Sequence, residues 1–400
     1  MASFASRAPD FLVRSAMAAS SGNKERDTVL VVVQLSGGND GLNTVVPYAD
    51  DEYGRNRPTL CLPPDKLHKI DSLMGFHPRM GAFMRLYRAG YLGIVRGVGS
   101  PNPDRSHEGA MRIWHTADPE RPNRQTGWLG RAADSIWNPN QTNAPALFVG
   151  PIAQPFALNA QNVVVPSIRS PRDLVTRRMP GYADAQSPPK QAAGPPRGDK
   201  QNPLLDFLRR STLNARANAR RIEAAAKMPD SAEYPAFQLA ATLRTVARLI
   251  RADVGIRIFF TELGGGGIGG FDNHANQLGN HCSLLHHLSE SVAAFVNDLK
   301  RQKLLDRVLL MTFSEFGRTV RENGRRGTGH GAAAPAFLAG GRLKGGMTGE
   351  QPSLADLDNG ALKVHTDFRR LYATVLGRWL GLDSRIILGR KFEPLDILDV

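Results

Sequence analysis

Apolar residues along this chain gather in short unbroken runs ended by glycine or polar residues. Between them lie longer stretches whose apolar positions recur every three or four residues. The clearest run is 28–35, Thr-Val-Leu-Val-Val-Val-Gln-Leu, which stops at Ser36-Gly37-Gly38. A run that is apolar at consecutive positions suits a strand covered on both faces, as in a parallel sheet. Residues 91–95, 254–260, 308–313 and 335–341 also read as strands, with 144–149 and 163–165 as weaker ones. Helical spacing marks 79–90, with Met80, Phe83, Met84 and Leu86, and 236–252, with Leu239, Leu243, Val246 and Ile250. A long helix follows through Leu284, Leu288, Val292, Phe295 and Leu299, and a last one covers 368–380. Strands alternating with amphipathic helices predict an α/β domain with a largely parallel sheet.

The pattern fails in two places. Residues 1–27 read as an N-terminal arm or a degenerate export signal: Arg7 to Arg14 followed by small residues has the outline of a twin-arginine leader without the arginine pair. A working signal would send the chain to the periplasm or beyond, and without one it would stay cytoplasmic. Farther on, Pro180, Pro188, Pro189, Pro195, Pro196 and Pro203 mark an irregular insertion over 170–203, before an Ala/Arg-rich helix at 204–227. The domain itself spans 28–400.

Charge narrows the partners. With 51 Lys+Arg against 37 Asp+Glu, the net +14 favours anionic ligands. Much of the excess lies in the insertion and on amphipathic helices, and no nucleic-acid motif or aromatic platform accompanies it, so no specific nucleic acid is expected. No uncharged apolar run approaches the ~20 residues of a spanning helix, so no transmembrane segment is expected. Cys61 and Cys282 make no disulfide framework.

Four short stretches carry candidate chemistry. Phe271-Asp272-Asn273-His274 follows a glycine run, so a carboxylate and an imidazole two residues apart can face one point. Asp40 follows the first strand, Glu315 follows the strand at 308–313, and His330 sits in Gly327-Thr328-Gly329-His330-Gly331. Carboxylates and imidazoles at the carboxyl ends of parallel strands converge naturally on a divalent ion. Asp40 reads equally well as a helix cap. Ser106 and His107 open a helix, where a hydroxyl suits a nucleophile or an anion site, or a plain N-cap. His281, His286 and His287 are explained by helix packing alone.

Taken together, Ser36-Gly37-Gly38-Asn39-Asp40-Gly41-Leu42-Asn43, Arg105-Ser106-His107, Gly270 to Gln277, Phe313 to Thr319 and Gly327 to Gly331 resemble the family labelled domain of unknown function 1501. That family is grouped with the alkaline phosphatase and sulfatase-like superfamily, and the resemblance covers the chain from about Thr28 onward. It implies a three-layer α/β/α sandwich with a mostly parallel central sheet. It also implies hydrolysis or transfer of phosphate or sulfate esters, with one or two divalent ions: zinc, magnesium, manganese or calcium. Asp40, Asp272, His274, Glu315 and His330 resemble the metal ligands. Ser106 with His107 would supply the nucleophile and its neighbour, while Arg105 and Arg318 would neutralise charge on the transferred group. The implied substrate is a small anionic ester or a sulfated or phosphorylated glycan. Two departures stand out: Phe316 where the superfamily has a histidine ligand, and Gly329 where related sequences carry an aspartate. They favour the alternative of an anion- or glycan-binding protein that keeps the fold without turnover.

Overall fold

The computed structural model describes residues 27–121, 123–137, 144–169, 232–265 and 270–400. The leader-like segment, the proline-rich insertion and the helix expected at 204–227 lie outside these residues. At the centre stands β1 (Val29–Leu35), every residue of which is buried. Later strands are β2 (Leu92–Gly99), β3 (Ala146–Val149), β4 (Ser167–Ile168), β5 (Ile258–Leu263) and β6 (Val308–Phe313). They continue through β7 (Arg318–Glu322), β8 (Thr328–His330), β9 (Ala334–Gly340), β10 (Gly346–Thr348) and β11 (Thr366–Asp367). The main sheet runs β10-β2-β9-β6-β1-β5-β3-β4, with β11 also paired to β2. Its pairs are parallel except around β9, which is antiparallel to both neighbours.

Side chains alternate across β1, and each face is covered. Val29, Val31, Val33 and Leu35 pack with α1 (Gly81–Arg88), α4 (Gln238–Arg251) and α5 (Gln277–Arg301). Leu30 and Val32 face α2 (His107–Thr116), α3 (Trp128–Ile136) and the C-terminal helices α6 (Phe368–Ala373) and α7 (Ser384–Leu388). The result is an α/β/α sandwich, as expected. Each fully buried Val or Leu contributes about 1.5–3 kcal/mol, so the double-faced runs carry much of the stability.

Some boundaries differ from the sequence reading. Residues 163–165 form no strand; the short edge strand begins after Pro166, at Ser167, and pairs with Phe148 and Val149. Helix α3 was not anticipated, although Trp128, Leu129, Ala132 and Ala133 recur at helical spacing and are buried. The last helix is α-helical only to Ala373 and continues as a π turn over Thr374–Trp379.

Register is what assembles the site. Gln34 pairs with Phe313 and Leu35 with Leu263, so the loops at Ser36, Gly264 and Ser314 leave the sheet at one level. The reversed direction of β9 brings the segment before it, which carries His330, to that same edge.

Candidate metal centre

The end of β1 is shaped by what its glycines lack. Gly37 and Gly38 have φ of +112° and +81°, a region that favours glycine. A Cβ on Gly37 would stand 2.5 Å from the Asp272 backbone nitrogen, and one on Gly38 would stand 2.3 Å from the Phe316 ring. The missing side chains let the Asp272 loop and Phe316 close over the strand end.

Arg318, the first residue of β7, holds this closure. It is 2% exposed and donates to the carbonyls of Gly37, Gly38 and Phe271 and to Asp272 Oδ1, the last at 2.7 Å. Burial pushes the Asp272 carboxyl up, but the Arg318 guanidinium outweighs it and the pKa settles at about 2. The half-exposed Asp272 is therefore an anion at any ordinary pH.

Three imidazoles converge on that anion. His274 Nε2 is 2.9 Å and His330 Nε2 3.2 Å from Asp272 Oδ1, and the two nitrogens are 3.0 Å apart. His107 Nε2 lies 3.4 Å from Asp272 Oδ2. His107, Asp272 and His330 each offer a ligand atom within 4.8 Å of the others. Their other ring nitrogens are engaged: His107 Nδ1 is 3.0 Å from Glu315 Oε1, and His330 Nδ1 is 2.6 Å from the Arg105 carbonyl. A carbonyl only accepts, so His330 carries its hydrogen on Nδ1 and turns the Nε2 lone pair toward Asp272. Glu315 imposes the same tautomer on neutral His107. Its hydrogen bond also raises the His107 pKa against the opposing effect of burial. Burial lowers that of His274 despite Asp272 beside it. Phe316, 1% exposed, forms the floor, its ring centroid 5.0 Å from that of His107 and 4.6 Å from that of His330.

The residues named from sequence thus divide. Asp272, His274, Glu315 and His330 come together, and His107 joins them as a ring aimed at Asp272. Asp40 does not join them: its carboxylate is 2% exposed and gripped by Arg57, through Nη2 to Oδ1 at 2.9 Å and Nη1 to Oδ2. Burial alone would raise the Asp40 pKa, and Arg57 reverses this and holds it below the ordinary value. Arg318 is a buried post and not a free cation. Arg105 donates to the Asp358 and Asn359 carbonyls. Ser106 is the N-cap of α2, accepting from Gly109 N at 3.1 Å while its hydroxyl donates to Asp104 Oδ1 at 2.7 Å. Buried His281 bonds to Asn39 Oδ1, and His286 and His287 pack on Phe237, as the packing reading has it. Gly329 turns its missing side chain toward Thr319, whose methyl would be 3.2 Å from a Cβ. An aspartate there would start on the side of the strand away from His330.

Sequence reasoning did not single out Arg57. A buried carboxylate requires a counter-charge, but nothing in Arg57-Pro58 says which arginine supplies it.

The family model described as "Protein of unknown function (DUF1501)" matches residues 27–389. The chain belongs to this family. No curated protein matches the DUF1501 chain. Solved structures similar to it include the Zn complex of the C-terminal periplasmic domain of EcEptC from Escherichia coli, at 10% identity and TM-score 0.38, covering 80% of this chain and 74% of that one. PsFucS1 sulfatase from Pseudoalteromonas sp. is 9% identical with TM-score 0.40, covering 96% and 74%. A protein in the alkaline phosphatase superfamily from Vibrio parahaemolyticus is 10% identical with TM-score 0.36, covering 95% and 76%. At such values the chemistry of the DUF1501 site rests on its own atoms.

Proposed function

We propose that this protein is a metal-dependent hydrolase of phosphate or sulfate esters, with a divalent ion held by His107 Nε2, Asp272 and His330 Nε2 and flanked by His274. One observation carries the reading: three Nε2 atoms face a single ionised carboxylate while two of the rings bond through Nδ1 to Glu315 and to the Arg105 carbonyl. With their hydrogens on Nδ1, the neutral His107 and His330 rings turn Nε2 lone pairs toward an anion, an arrangement that a cation between them would relieve. Nitrogen and carboxylate donors together suit zinc or manganese better than an all-oxygen site suited to calcium. A bound ion would polarise an ester oxygen and lower the pKa of a coordinated water.

The chain's own groups complete the site. Glu315 and the Arg105 carbonyl fix two rings, Phe316 supports both from below, and Arg318 keeps Asp272 ionised. Ser106, exposed at the start of α2 between Arg105 and His107, is the nucleophile we propose; Asp104 accepts its hydrogen, and the helix N-terminus favours the incoming anion. The exposed Arg325, close enough to lower the His274 pKa, adds positive charge to the rim. These features fit a small anionic ester or an esterified glycan.

A reading without turnover keeps one specific support: Arg318 spends its hydrogens on the Gly37, Gly38 and Phe271 carbonyls and on Asp272, and the Arg105 guanidinium is turned to the Asp358 and Asn359 carbonyls, so neither is placed to neutralise charge on a transferred group. Metal-stripped protein reloaded with zinc or manganese and assayed on aryl phosphates and aryl sulfates separates the two. Ion-dependent turnover that Ser106→Ala removes supports the hydrolase; tight anion binding with no turnover supports the alternative.

A further inference from the structure

Asp40 stands at the end of the central strand, where the resemblance would place a ligand, yet its surroundings give it other work. Arg57 is fully buried and donates from Nη1 to Asp40 and Asn43, from Nη2 to Asp40 and the Thr319 carbonyl, and from Nε to the Val320 carbonyl. Every hydrogen of the guanidinium is thereby used, and two of them lock the backbone of β7 just after Arg318. Asp40 Oδ2 also accepts from Gln277 Nε2, and Gln277 Oε1 accepts from Thr328 Oγ1 at 2.7 Å. Thr328 begins β8, and its backbone nitrogen donates at 3.1 Å to the carbonyl of Asn273, the residue between Asp272 and His274. Its carbonyl accepts from Arg318 at 3.3 Å.

We infer that Asp40 is a positioning residue and not a ligand: the buried Asp40–Arg57 pair, acting through Gln277 and Thr328, sets β7 and β8 so that Asp272, His274 and His330 meet. The inference rests on the metal-site reading above but concerns how the site is held. A carboxylate whose oxygens already face two guanidinium nitrogens and an amide has little left to offer a cation, and moving it to an ion would strand a fully buried arginine.

The decisive variant is Thr328→Val, which keeps volume and leaves Asp40 and Arg57 untouched. In metal-free native protein the His330 Nδ1 hydrogen, donated to the Arg105 carbonyl, is expected as a slowly exchanging imidazole resonance in 1H–15N spectra. In Thr328→Val it should broaden or vanish while circular dichroism stays native; its retention unchanged would overturn the proposal. Cobalt(II) titration gives the second readout. Thr328→Val and Asp40→Asn should each weaken cobalt(II) binding by about 10- to 100-fold with the native visible spectrum at saturation. A changed spectrum in Asp40→Asn, with Thr328→Val indistinguishable from native, would mean that Asp40 is a ligand. If Asp40→Asn does not fold, Thr328→Val decides alone. If native protein takes up no cobalt(II), the metal reading falls and the imidazole resonance still decides the clamp.

Discussion

Glu315 Oε1 lies 3.0 Å from His107 Nδ1, and this contact settles which nitrogen of His107 is free to act. The carboxylate is 4% exposed and is further held by the Gly37 backbone N–H at 2.8 Å, so it cannot easily turn away. His107 in turn has its pKa raised, chiefly by this hydrogen bond. Glu315→Gln should therefore lower the His107 midpoint, followed by imidazole NMR of the metal-free protein. It should also weaken ion binding by about 10- to 100-fold, as expected when the group orienting a histidine ligand is lost. An unmoved midpoint would contradict the assigned contact.

The Asp40–Arg57 pair makes a prediction about stability. The folded Asp40 carboxyl sits below its ordinary value, so its contribution is complete above about pH 4, the ordinary carboxylate range. It is lost as pH falls through the depressed folded value. Asp40→Asn leaves Arg57 buried without its counter-charge and should cost about 3–5 kcal/mol at neutral pH. In urea denaturation the gap between native and variant should narrow as pH drops below about 4. A gap that widens on acidification would reverse the sign and reject the pairing.

Gly329→Asp should leave ion affinity unchanged. The position faces Thr319, and His330 Nδ1 already has the Arg105 carbonyl as its partner. Calorimetric titration of the two proteins with zinc checks this, and a tighter Gly329→Asp protein would show that the added carboxylate reaches the imidazoles.

The fold was largely legible because its information is local. A strand buried on both faces announces itself as 28–35 or 308–313 do, and a helix stripe as 236–252 does. Glu315 and His330 were legible for a related reason: they lie close to the ends of such strands, and strand ends in one sheet share an edge, whereas Asp272 and His274 stand out through the glycine run before them. Arg57 was not legible, since its partners Asp40, Thr319 and Val320 are joined to it only through tertiary packing. Nor was Phe316 as a floor: in sequence it reads as an absent ligand, and only the ring contacts with His107 and His330 give it a role. Gly329 reads in sequence as a missing acid next to His330. Strand alternation turns neighbouring side chains to opposite faces, so adjacency to His330 did not mean proximity to its ring.

The central claim is that the imidazole cluster on Asp272 holds a divalent ion. Elemental analysis and zinc or manganese titration of chelator-stripped native protein, beside His107→Ala, His330→Ala and Asp272→Asn, test it most directly. Saturable binding in the native chain that each substitution abolishes or weakens severely is the predicted result. A native chain that takes up no ion, or variants that bind as it does, would contradict the account.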